Sequence, residues 1–130
     1  MTHGVDGDVL LLDLPAAPAF LPVLRTATAG LATRLSFGLD AIEDLRLAVD
    51  EAAGLMMAAV DNHDASAILN CRFDVTETEL LISIGAAGIG SLPPRQSFDW
   101  RVLDALTGSV STELHNGVTT VRLAQPRPRV

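Results

Sequence analysis

Asp50 and Glu51 stand side by side in this chain, and the run Asp61-Asn62-His63-Asp64 follows shortly after. Carboxylates and imidazoles are the groups that move protons or hold metal ions. Neither grouping is arranged for that work. Neighbouring residues on a helix point about 100° apart, so Asp50 and Glu51 do not converge. The second cluster sits together at a helix end, the pattern of a solvated turn. His3 and His115 have no motif around them, and no serine lies in a nucleophile elbow. The single cysteine, Cys71, permits no internal disulfide and falls among alternating strand residues, which marks a buried structural thiol. What remains is the helical spacing of Glu51 and Leu55, one turn apart, and the glycine-rich run Gly85-Ala86-Ala87-Gly88-Ile89-Gly90.

The elements that would carry these residues follow from hydrophobic period. Val9 to Leu14 reads as a first strand. Pro15, Pro18 and Pro22 lead into a helix whose stripe is Val23, Leu24, Ala27, Leu31 and Leu35, ending near Ser36 and Gly38. Asp40 with Glu43 forms a capping-box-like start for a second helix, striped by Ile42, Leu45, Val49, Ala52, Met56 and Ala59. Leu69, Cys71, Phe73 and Val75 alternate with polar residues in a half-buried strand. Leu80, Ile82 and Ile84 form another before the glycine run. Phe98 to Leu106 suits a third helix, and Val110 to Leu114 and Thr119 to Leu123 flank the hairpin signal Asn116-Gly117. Hairpin-joined strands and three one-sided helices predict an α+β two-layer sandwich, a mostly antiparallel sheet of about five strands covered on one face.

The chain has 130 residues, enough for one compact domain spanning 1–130, with flexible termini expected at 1–7 and 125–130. With four Phe, one Trp and no Tyr, the core must be aliphatic. The net charge of −7 repels phosphate backbones and anionic lipid surfaces, which argues against direct nucleic-acid and membrane binding. No apolar stretch is long enough to span a bilayer, and no signal peptide opens the chain, so a cytoplasmic protein is expected.

The segment Leu45-Arg46-Leu47-Ala48-Val49-Asp50-Glu51-Ala52-Ala53 resembles the N-box helix of the anti-sigma-factor serine kinases, a branch of the GHKL (Bergerat-fold) ATPases. Gly88 and Gly90 fall where that family has its D-x-G-x-G loop. Val102 to Leu106 is similar to the helix after the ATP lid, and Asn116 to Leu123 to the closing G-T-x-V-x-L hairpin that contains Thr119. Four motifs in order, over nearly the whole chain, carry the resemblance.

The resemblance implies roles that this chain only partly fills. The family's base position is Glu51. The Asn that holds magnesium one turn later is Leu55, which offers no oxygen to a hard cation. The Asp that pairs with the adenine amino group is Ala86; leaving that group unpaired costs about 1 to 3 kcal/mol. Only Ser91 to Gln96 remain of the lid, and the phosphate-cradling glycines at the next helix start are Ser97 and Asp99, the latter an acid where an anion should sit. These departures predict little or no nucleotide binding: no cofactor, no metal, and no enzymatic activity. Glu51 is then either a remnant base or a solvated, cap-like acid. Leu47 and Leu55 form a second apolar strip beside it, either closing the old cleft or receiving an apolar partner side chain.

Relatives grip a sigma factor, and alternatively a STAS-domain anti-anti-sigma protein, through an arginine of the first helix. The matching position is Arg25, which shares its helix with one other charged residue, Arg34. Both are candidates for partner binding, Arg25 through bidentate pairing with a carboxylate, or else as a solvated arginine whose stem packs on the sheet edge. The resulting expectation is an anti-sigma factor that sequesters an alternative sigma factor of stress or developmental type, is released by a STAS protein, and forms a homodimer. The alternatives are an active serine kinase that phosphorylates the STAS partner and uses ATP and magnesium, or a non-catalytic dimerisation module.

Overall fold

The computed structural model describes residues 8–60 and 64–129. Asp61, Asn62 and His63 lie outside these, so the expected solvated turn is seen only at Asp64, whose carboxylate accepts from the amide and hydroxyl of Ser66. The elements in order are β1 (Asp8–Pro15), a 3₁₀ turn (Pro18–Phe20), α1 (Leu21–Arg34), α2 (Leu39–Ala58), β2 (Ile68–Val75), β3 (Glu79–Ala87), α3 (Phe98–Leu106), β4 (Ser109–His115) and β5 (Val118–Pro126). The five strands form one antiparallel sheet in the order β1-β2-β3-β5-β4. Alternation decides which face is covered: Leu69, Cys71, Phe73 and Val75 of β2 are buried, while Ile68, Asn70 and Arg72 are exposed. The helices lie on the apolar face, so the expected two-layer α+β sandwich is the observed one.

α2 is the central helix, packed against α1, α3 and β3. Its stripe of Leu45, Val49, Ala52 and Met56 is buried, and Ala48 and Ala53 bury a second side, their small side chains allowing neighbours to approach closely. α3 inserts Trp100 and Leu103 into the core, and the Trp100 indole N–H donates to the Pro93 carbonyl at 3.0 Å. The β4–β5 turn places Asn116 and Gly117 both at positive φ, 51° and 77°, the backbone that a two-residue hairpin requires.

Four sequence expectations need correction. α1 does not bury the face through Val23 and Leu31: its buried residues are Leu24, Thr28 and Ala32, with Val23 46% exposed. Thr28 is tolerated inside because its hydroxyl donates to the Leu24 carbonyl at 2.8 Å. α2 is capped by the backbone of Gly38, with no side-chain cap, and Asp40 lies within the first turn, where its charge still favours the helix dipole. β3 runs through Gly85, Ala86 and Ala87 in register with Thr120, Thr119 and Val118, so half of the glycine run is strand. β5 continues to Pro126, and Arg127 bonds back to Thr76 and Thr78, so the tail expected from residue 125 begins later. Among the described residues, no helix is long and apolar enough to cross a membrane.

Candidate functional site

Glu51 emerges from the partly exposed side of α2, where the core stripe has turned away. Asp99, in the first turn of α3, faces it within hydrogen-bonding reach. Partial burial holds the Glu51 carboxyl above its ordinary range, followed by the charges of Asp99 and Asp50 and the hydrogen bond with Asp99. A carboxyl that keeps its proton more tightly is a stronger base once ionised, which suits proton acceptance from a hydroxyl.

Asp50 points to the other side. Its Oδ1 accepts from Arg25 Nη1 at 2.9 Å, joining α2 to α1, and both side chains remain about one-third exposed. Arg25 is therefore neither a plain solvated arginine nor one packed only through its stem. Arg34, exposed in the last turn of α1, lines a shallow groove with Val9, Leu10, Leu31 and Val75. Nine helical residues separate it from Arg25, about 13 Å along the axis and roughly half a turn around. The structure thus places the two candidate arginines apart.

ATP and magnesium, which the family resemblance implies, can be tested against these residues. Leu55 is 8% exposed, its side chain part of the core. Ala86 is 1% exposed on β3 opposite Thr119, itself half-buried. The glycine loop is fastened at two points: the Gly88 amide, at φ +65°, donates to the Gly117 carbonyl at 3.1 Å, and the Gly90 amide to the Ala59 carbonyl at 2.8 Å. A side chain at Gly90 would meet the same Ala59 oxygen at 3.3 Å. At the start of α3, the Ser97 hydroxyl is buried with no hydrogen-bond partner among the described residues, and Asp99 adds negative charge beside it. The residues present do not fit the family's contacts to magnesium and adenine. Of the second apolar strip, Leu55 fills the interior while Leu47, 48% exposed, stays at the surface. Cys71 is buried, and desolvation, with the Asp13 charge second, pushes its thiol up to about 11.

Sequence reasoning found Glu51 and Arg25 but missed what holds them. The Asp50–Arg25 tie spans 25 positions and two helices, and the Glu51–Asp99 pair spans two elements separated by the sheet strands. The available signal was the adjacency of Asp50 to the family-matched Glu51.

No protein-family model matches the chain. The serine-protein kinase RsbW of Bacillus subtilis (strain 168) is 25% identical over 133 residues, covering 88% of this chain and 83% of that protein. The RsbW of Oceanobacillus iheyensis is 30% identical over 106 residues, covering 82% of this chain and 63% of its own length. A crystal structure of the RsbU and RsbW domains of a Mycobacterium tuberculosis protein superposes with a TM-score of 0.70 at 16% identity, covering 93% of this chain and 33% of that one, a likeness of fold. These relatives are named serine-protein kinases, which overturns the expectation of a protein without enzymatic activity. With motifs in the same order, sequence likeness over more than four-fifths of its length and a shared fold, the chain is similar to the RsbW serine-protein kinases.

Proposed function

We propose that this chain is an RsbW-type switch protein. It captures a sigma factor of stress or developmental type in the cytoplasm and yields it to a STAS-domain antagonist. It also acts as a protein serine kinase toward that antagonist, with a weak hold on ATP and magnesium, and it works as a homodimer. The observation that carries this reading is the presentation of Arg25, the position matching the family's capture arginine, one-third exposed on α1 and held at 2.9 Å by Asp50 of α2. The guanidinium supplies a planar fork for a partner carboxylate. The weak hold on nucleotide follows from hydrocarbon at Leu55 and Ala86 and from the negative charge of Asp99 near the helix start.

The test is recovery of tagged chain from its native host, followed by reconstitution. A sigma factor and a STAS protein are expected among the stoichiometric partners, and the purified STAS protein is expected to gain phosphate on serine at millimolar ATP. Recovery of the chain with neither partner would reject the reading.

A further inference from the structure

The geometry that joins Arg25 to Asp50 does more than brace two helices. The contact links side chains that are both about one-third exposed, on helices already held together by apolar packing, so it can exchange without any movement of the backbone. Asp50 occupies Arg25 as a partner carboxylate would, with an acid oxygen at 2.9 Å from Nη1.

We infer that Asp50 is an internal competitor for the capture arginine, one that reserves Arg25 for a protein partner presenting its own carboxylate. This rests on the reading of Arg25 as a capture residue. When Arg25 turns outward, Asp50 is left beside Glu51, which itself faces Asp99. Three acids then lie close together, and like charges at that range repel. Freeing Arg25 costs the Asp50 contact and exposes this repulsion whichever partner takes it, so Asp50 lowers the affinity of every partner that needs Arg25 by the same factor. A partner carboxylate makes an ionic contact strong enough to offset that cost, whereas a neutral acceptor makes a weaker one and leaves Arg25 on Asp50. Asp50 acts through Arg25 and is a specificity-determining residue, not a catalytic one.

The experiment uses the intact chain and the sigma factor recovered with it, purified separately and titrated by calorimetry. Asp50→Asn and Asp50→Ala each remove the competitor and are expected to tighten capture about two- to fivefold, the range of an exposed ion pair. Arg25→Ala is expected to weaken capture at least about tenfold, and Asp50→Asn added to Arg25→Ala should then change nothing. If Arg25→Ala weakens capture but both Asp50 variants leave it unchanged or weaker, Asp50 is a brace and the inference falls while the capture reading stands. If Arg25→Ala has no effect, the capture reading itself falls. Circular dichroism of each variant at the titration temperature separates these outcomes from unfolding.

Discussion

The carboxyl groups of Glu51 and Asp99 face each other across the junction of α2 and α3, close enough to share a hydrogen bond. Two acids from different helices are seldom placed so, because ionising both costs repulsion. The pair ties the family-matched base to the start of the helix where the resemblance expects glycine.

The sign of the consequence follows from linkage. The folded state holds the Glu51 proton more tightly than the ordinary value of 4.5, so it binds more protons than the unfolded chain just above that pH. Stability from this group is complete below 4.5 and is lost as pH rises through the folded value. Glu51→Gln should therefore raise the Tm at neutral pH by on the order of 1–3 °C. The gain should vanish below pH 4.5, where wild type and variant are both uncharged. Asp99→Asn should bring the Glu51 titration, followed by carboxyl NMR, back toward its ordinary range.

Restoring the family's adenine-binding acid should harm the protein. Ala86 is 1% exposed and its strand is paired with β5, so an aspartate there is an unpartnered buried charge. Ala86→Asp is expected to cost about 3 kcal/mol or more in denaturant unfolding. An unchanged midpoint would mean that the site opens to solvent.

Cys71 should be inert. With its thiol pushed up to about 11, roughly one molecule in a thousand is thiolate near pH 8, and the sulfur is also covered. Labelling by a chromogenic disulfide reagent should follow the unfolding rate and become prompt in denaturant. Prompt labelling of the native protein would contradict the packing of β2.

Period and turn chemistry made most of the fold legible. Alternation fixed the inward face of β2, Asn116-Gly117 marked the hairpin, and α3 spans Phe98–Leu106 as its pattern predicts. The misses share one cause, namely tertiary contacts overriding local preference. Thr28 counts as polar until its hydroxyl finds the Leu24 carbonyl, and this rotated the buried face of α1. Asp40 looks like a cap, but the turn through Ser36, at φ 65°, and buried Phe37 starts the helix two residues earlier. Gly85 and Ala86 look like loop until β5 pairs with them. At the site, helical spacing placed Glu51 and Leu55, while the partners of Glu51 and Arg25 depend on how three helices pack, which no window of sequence contains.

Hydrocarbon at Leu55 and Ala86 stands where the family resemblance places the contacts for metal and adenine, and the proposed weak hold on nucleotide depends on it. Calorimetric titration of magnesium-ATP into the purified chain measures this directly. The prediction is a Kd of about a millimolar or weaker, near −4 kcal/mol of binding free energy. Saturable binding with a Kd of about ten micromolar or tighter, dependent on magnesium, would contradict it.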